Sequence, residues 1–319
     1  SNVCFSDGVR IRSMESTIGF LLHGYKGAGF CPSVILNDEV ISENPEGGTG
    51  KGLIMNALGH LKKVVVIDGK AFNFEKSFPY QLVSADTQII VFDDVKKHFD
   101  FERLFSIITE GITLEKKNKD AIKIPFSTSP KVSITTNYAI KGTGNSFARR
   151  KWELELHQYY KDGFTPLDEF GKVMFTEWDK DQWCQFDNYM VGCIKTFLSD
   201  GLIKCESINK HIKDLATNTS HDFADWCGAL GGELSDSMTT LINGGSVLKQ
   251  SLYNEFTEDN PDYSTKGKHS ISRIKFYKWI AYFCKQKGQT DPDVWRDANG
   301  KWIRLRTKHE LEKNEEFIF

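Results

Sequence analysis

An α/β fold is predicted for the 319-residue chain, with a parallel sheet and flanking helices in the first half and a helical region in the second. Three observations predict it. Short β-rich apolar runs alternate with helical patterns up to about residue 157, as strands joined by crossover helices do. Beyond residues 160–166 the spacing becomes helical alone. Near the end, two helical stretches precede two short strands.

The strands are expected at 33–36, 64–68, 88–92, 131–135 and 151–157. Between them Leu53, Ile54, Ala57, Leu58 and Leu61 repeat at helical spacing, as do Phe101, Leu104, Phe105 and Ile108 before the stop at Gly111. In the second half Trp183, Phe186, Met190, Cys193, Ile194, Phe197 and Leu198 make one apolar helical face. Helices at 247–257 and 270–287 lead to strands 294–296 and 301–306, joined by Asp297-Ala298-Asn299-Gly300. Helix, helix, hairpin is the outline of a winged helix. The expected divisions are a helical lead-in with the first strand (1–40), a phosphate-binding core (41–160), a helical region (161–245) and a winged-helix-like end (246–319).

Apolar residues at 39% and charged residues at 26% sit near the average of globular chains, which excludes disordered and fibrous classes. No apolar run approaches the roughly 18 residues of a membrane helix, and no signal-peptide pattern opens the chain. A cytoplasmic protein is expected. The start at Ser1-Asn2 without Met reads as a tag remnant on a fragment of a longer polypeptide. The seven cysteines show neither a C-x-x-C pair nor zinc-ligand spacing, so buried thiols are expected. The net charge of -2 hides an asymmetry, because residues 102–151 carry ten Lys/Arg against four Asp/Glu. Such a stripe suits a polyanion.

The segment Pro45-Glu46-Gly47-Gly48-Thr49-Gly50-Lys51-Gly52 lies between an expected strand and an expected helix. Its glycines let backbone N–H groups curl around a β-phosphate, the helix N-terminus adds its positive end, and Lys51 neutralises the β/γ oxygens. ATP with Mg²⁺ is the implied cofactor, and residues 46–52 are its candidate contacts. Two positions depart from the G-x-x-x-x-G-K-[ST] pattern: Pro45 stands for the first Gly, and Gly52 for the Mg²⁺-binding hydroxyl. Thr49 is the nearest substitute hydroxyl by sequence. A glycine-rich surface turn is the alternative reading of this segment alone.

Ile89-Ile90-Val91-Phe92-Asp93-Asp94 reads as a buried strand ending in two acids. Asp93 is assigned to hydrated Mg²⁺ and Asp94 to the attacking water, the alternative being helix-capping acids at a strand end. The strand through Thr135-Thr136 ends at Asn137, an amide able to sense a γ-phosphate or lytic water without adding charge. Arg149 and Arg150 follow, where a guanidinium on a subunit edge can act on a neighbour's ATP. A solvated basic turn is the alternative there.

This order of phosphate loop, Asp-Asp strand, lysine-bearing hairpin, Thr-Thr-Asn strand and paired Arg resembles the superfamily 3 helicases, most of all those of poxvirus-type and phage-type primase-helicases. The likeness includes the lead-in Ser16-Thr17-Ile18-Gly19-Phe20-Leu21-Leu22-His23-Gly24-Tyr25 and covers about residues 15–160. It implies an AAA+ type fold, a hexameric ring with ATP at subunit interfaces, Asn137 as sensor and Arg149 or Arg150 as finger. It also puts residues 110–119 in the place of a pore hairpin. Read from the residues, 112–114 and 121–124 are strands flanking a basic turn, with Lys116, Lys117 and Lys119 as single-stranded DNA contacts. A charged solvent-exposed hairpin is the alternative.

Arg273, Lys275, Lys278, Arg296, Lys301, Arg304 and Arg306 near the end could bind DNA, or serve a protein contact or the fold alone. The resulting expectation is a hexameric ATP-dependent DNA helicase for viral, phage or plasmid replication, with a primase domain upstream as a further partner. Two other readings stay open: an initiator or loader switch that does not unwind, and a non-hydrolysing scaffold.

Overall fold

The structure, a computed structural model, describes residues 2–27, 29–39, 48–96, 99–138, 140, 144–230, 233–289 and 292–306. It divides into two compact units, Ser1–Asn209 and Lys210–Phe319. The first contains α1 (Gly8–Leu22), β1 (Ser33–Asp38), α2 (Lys51–Gly59), β2 (Val64–Asp68), β3 (Ile89–Val95), α3 (Phe105–Thr109), β4 (Gly111–Lys116), β5 (Lys119–Pro125), β6 (Lys131–Thr136), α4 (Asn145–Ala148), β7 (Lys151–Leu156), α5 (Pro166–Phe170) and α6 (Lys180–Asp200).

Five strands form one sheet in the order β2-β3-β6-β1-β7, every neighbouring pair parallel. The apolar runs of β1 and β3 explain its middle, since a parallel sheet covered on both faces needs strands without polar alternation, whereas the edge strands β2 and β7 are only partly buried. Val34, Leu36, Ile89 and Val91 face a core shared with Met14, Ile18, Leu58 and Met190. Ile35, Ile90, Phe92 and Ile134 face the opposite core with Leu104, Ile107 and Ile108. This mixed α/β arrangement, a central parallel sheet with flanking helices, is consistent with a P-loop NTPase-like fold.

Helix α6 packs along α1. Gly19 makes the approach close, because a Cβ there would lie 2.0 Å from the Cys193 carbonyl oxygen. The expected division at 160/161 therefore does not coincide with the division between units, which falls at 209/210. At the opposite end of the sheet from β1's Asp38, Lys131 opens β6 and donates to the carbonyls of Phe20 and His23 at the C-terminal end of α1. Burial pushes its ammonium down to about 8, which the α1 carbonyls oppose by favouring the charged form.

The second unit contains α7 (Lys210–Asn218), α8 (His221–Trp226), α9 (Asp236–Ile242), β8 (Val247–Leu248), α10 (Lys249–Asp259), α11 (Arg273–Gln286), β9 (Asp293–Asp297) and β10 (Gly300–Arg304). Its core centres on Phe223, Trp226, Phe256, Phe276, Trp279 and Phe283. The three short strands form an antiparallel sheet in the order β8-β10-β9.

Candidate functional site

Strand β1 ends at Asp38, which is 4% exposed and grips both elements of the phosphate loop within reach. The Thr49 hydroxyl donates to Asp38 Oδ1, and Lys51 Nζ pairs with the same oxygen. Lys51 Nζ also donates to Asn137 Oδ1 at 2.7 Å and to Thr49 Oγ1 at 3.2 Å. The fold thus brings Lys51 to Asn137, as the two expected roles require. Gly50 holds φ 94°, a left-handed conformation that favours glycine, immediately before α2. No side chain caps that helix, so its first N–H groups point into the space where phosphate would sit. Glu46 and Gly47, named above as phosphate contacts, lie outside the described residues, as does Pro45.

The two acids are arranged by a β-bulge. Phe92 pairs with Ile134 and Val95 with Thr136, so Asp93 and Asp94 together stand opposite the single residue Thr135. Thr135, 1% exposed, serves both: its hydroxyl donates to Asp93 Oδ1 at 2.6 Å and accepts from the Asp94 N–H at 2.7 Å. Asp94 takes φ 51° at this point. A left-handed residue inside a bulge turns its side chain away from the run of the strand, so that both carboxylates line one cavity where an ordinary strand would place them on opposite faces.

Asp94 has a partner that sequence reading missed. Gly69, just beyond β2, donates its N–H to the Asp93 carbonyl at 2.6 Å, and a Cβ on it would meet Val95 and that same oxygen. The next residue, Lys70, forms an ion pair with Asp94 Oδ2. The hydrogen bond that Lys70 donates to this carboxylate raises the pKa of its ammonium above the usual value. Asp38 and Thr135 were missed too. A polar residue at the end of each apolar strand is the only signal the sequence offers for them.

These groups surround one cavity of about 710 Å³, lined by residues 48–54, Asp93, Asp94, Thr135 and Asn137, and on its apolar side by Val3, Phe170 and Met174. The volume lies within the usual range of small-molecule sites, roughly 300–1,000 Å³. The donor set fits a nucleotide: a cation and free helix N–H groups for phosphate, carboxylates for a hydrated divalent ion, and apolar side chains for a base. Gly52 brings no hydroxyl, and the Thr49 hydroxyl is engaged by Asp38, so Asp93 is the first candidate for Mg²⁺. Mg²⁺ needs little more, since it keeps several waters and binds through one or two carboxylates plus substrate phosphates.

The arginine pair divides. The Arg150 guanidinium lies 4.4 Å over the Phe105 ring and donates to the Ser146 carbonyl at 2.9 Å. Burial, followed by the neighbouring Arg149 charge, lowers its proton affinity. Arg149 is exposed.

Strands β4 and β5 form a hairpin outside the main sheet, longer than the sequence suggests, with Lys116 paired across from Lys119. Lys117 and Lys119 are exposed at its tip, and Asn118 takes the left-handed φ of 57° that closes the turn.

Comparison with known proteins finds that residues 44–150 match a family of unknown function (DUF5906), about a third of the chain. No curated protein matches. Among solved structures, the apo C-terminal region of NrS-1 is similar at 16% identity and TM-score 0.43, covering 95% of this chain and 72% of that one. A second structure of that region gives 14% identity and TM-score 0.45, with 96% and 73% covered. A candidate ATPase from Cytophaga hutchinsonii gives 12% identity and TM-score 0.29, with 86% and 74% covered.

Proposed function

We infer that the chain is an ATP-hydrolysing P-loop motor that works on single-stranded DNA, of the superfamily 3 helicase kind, in replication of a virus, phage or plasmid. The observation that carries this reading is the meeting of Lys51, Asn137, Asp93 and Asp94 around one cavity, with the bulge opposite Thr135 letting both acids line it. A sheet-end pocket that joins a phosphate-loop lysine to two neighbouring acids suits phosphoryl transfer to water.

In this reading Lys51 leaves Asp38 for the β/γ oxygens, and the α2 N-terminus binds the same phosphates through its N–H groups. Asp93 holds Mg²⁺, which when bound offsets charge on the phosphates. Asp94, released from Lys70, orients the attacking water and accepts its proton. Asn137 orients from the other side as donor and acceptor. Val3, Phe170 and Met174 exclude water around the base.

Arg149 is the finger, because Arg150 is committed to Phe105 and Ser146 within its own chain. An exposed guanidinium can reach a neighbour's phosphates, which supports a ring, hexameric as in the family resembled, with an attached primase domain as a further partner. Lys116, Lys117 and Lys119 contact the strand. The order β8, α10, α11, β9, β10, with β10 between β8 and β9, supports a winged helix at residues 246–319. No described helix is long and apolar enough to cross a membrane, and a place in the cytoplasm suits a replication motor.

The initiator or loader reading has an observation of its own. Both reacting charges are held within the chain, Lys51 by Asp38 and Asp94 by Lys70, as in a switch awaiting a trigger. Measuring ATP turnover together with strand separation on a forked DNA decides. Turnover stimulated by single-stranded DNA with unwinding supports the motor, turnover without unwinding the switch, and nucleotide binding without turnover a scaffold.

A further inference from the structure

We propose that the second unit binds duplex DNA along the outer face of α11 and the β9–β10 hairpin, a site separate from the hairpin lysines of the first unit. The first observation is charge. From Tyr263 to Thr290 the chain carries seven basic residues and no acidic one. Several acids of this unit collect away from α11: Asp222, Asp225, Asp236, Glu255 and Glu258 line a groove of about 630 Å³ that takes no residue from α11. One side of the unit is therefore cationic by sequence, although the whole chain is close to neutral.

The second observation is how α11 is laid down. Phe276, Trp279, Ile280 and Phe283 are buried in the core. That fixes the opposite line, where Ile274, Lys278, Ala281 and Lys285 follow one another at helical spacing in full exposure, with Lys275 beside them. Among the described residues none of these lysines pairs with an acid. Lys278 and Lys285 are seven residues apart on the same line, about 10 Å along the axis, with only the small Ala281 between them.

A third observation comes from the hairpin. Arg296 stands directly across from Lys301, both exposed, and like charges facing each other across strands destabilise a sheet. The nearby acids do not relieve them. Asp293 is taken by Arg304 and Arg306, and Asp297 accepts from the N–H groups of Asn299 and Gly300 in the turn. Two facing cations without an ion pair among the described residues are what an approaching polyanion stabilises. Arg304 and Arg306, grouped with these residues on sequence grounds, are both paired with Asp293 and held in place by it, so they are left out of the site.

Duplex rather than single-stranded DNA fits the face. Single strands are held by stacking unpaired bases on aromatic rings, but Phe276, Trp279 and Phe283 of α11 are buried, Tyr277 and Tyr282 pack against the core, and Trp295, 40% exposed, has one ring face taken by Trp302 at 6.2 Å and 5°. What remains outward is a straight row of cations on a narrow helix, suited to phosphates and to a groove about 12 Å wide.

The test uses the full chain without nucleotide, so that its outcome is independent of the ATPase reading. Lys275, Lys278 and Lys285 are all changed to Ala, and binding to a blunt duplex and to a thymidine oligonucleotide is followed by fluorescence anisotropy across a salt series. Duplex affinity is expected to fall at least tenfold, and its log-log salt slope to become shallower by about 2.7, three contacts at roughly 0.9 each. Thymidine binding and the melting temperature stay at wild-type values. The corresponding triple Arg variant is expected to bind duplex as wild type does. The proposal is overturned if duplex affinity is unchanged, if both DNAs weaken equally, if the Arg variant binds as poorly as the Ala variant, or if the variant alters self-association while duplex binding persists.

Discussion

Lys51 and the lysines of the β4–β5 hairpin are both assigned to phosphate, and the fold holds them in opposite ways. The Lys51 side chain is 11% exposed and has three oxygen partners, Asp38, Asn137 and Thr49. Lys117 and Lys119 stand in solvent at the end of a two-residue turn. A buried, prepaired cation is positioned before its ligand arrives and acts where charge develops. An exposed cation on a flexible stem gains mainly from counterion release, which is additive, sequence-blind and sensitive to salt. Loss of the first is expected to be all-or-none, and loss of the second graded.

The largest effect is expected for Lys51→Ala, with ATP turnover reduced on the order of a thousandfold. The change also strands the Asp38 carboxylate, whose side chain is 5% exposed, so stability should fall by roughly 3 kcal/mol. Steady-state turnover and a thermal melt read the two effects. Turnover at the wild-type rate would erase the contrast between the two kinds of lysine.

Next in size is the arginine pair. Arg149→Ala should cost about a thousandfold in turnover with little change in melting temperature. Arg150→Ala should cost about 1 kcal/mol of stability through the lost ring contact and leave the folded enzyme active. Mixing Arg149→Ala with Lys51→Ala subunits, under conditions that let them exchange, should recover some activity where an intact phosphate loop meets an intact arginine. Equal behaviour of the two arginine variants, or no recovery, would count against a finger acting between subunits.

The hairpin should respond by degrees. Replacing Lys116, Lys117 and Lys119 together is expected to weaken single-stranded DNA binding for every sequence and flatten its salt slope by about 2, with basal turnover spared. An unchanged slope in a salt titration would remove the hairpin from the DNA path.

The smallest change is expected at Lys70. Freed from its ion pair in Lys70→Ala, Asp94 should be available without a trigger, so basal turnover rises a few-fold and stimulation by DNA shrinks. A fall in basal turnover would instead make Lys70 a positioning residue for Asp94.

Much of the first unit is legible in the amino-acid sequence, for a physical reason. Parallel strands covered on both faces read as continuous apolar runs, and strands expected at 33–36, 64–68, 88–92, 131–135 and 151–157 are found at 33–38, 64–68, 89–95, 131–136 and 151–156. Asp93 closes such a run and Asn137 follows one, while Lys51 follows from the glycines before α2. Residues that act across strands are not legible. Asn137 meets Lys51, and Thr135 meets Asp93 and Asp94, only because β6 lies between β1 and β3. Lys70 reaches Asp94 because Gly69 lets the β2 loop close on β3. The helical face of α6 can be read, but not its partner, since contact with α1 depends on the missing side chain at Gly19. Likewise the basic residues of β10 look equivalent in sequence, and only the register with β9 puts Arg304 on Asp293 and Lys301 on Arg296.

The central claim, that this cavity hydrolyses ATP through an acid distinct from the metal-holding one, is tested most directly with Asp94→Asn. The variant keeps Lys51, Asn137 and Asp93, and the Asp94 backbone N–H that binds Thr135 is untouched. Nucleotide affinity by calorimetry and single-turnover hydrolysis would be measured on the same preparation. The account predicts ATP bound with Mg²⁺ as tightly as by the wild type or more so, because a negative charge near the phosphates has gone. It also predicts hydrolysis slower by about two orders of magnitude or more, the scale of a lost general base. Hydrolysis at the wild-type rate, with binding intact, would contradict it.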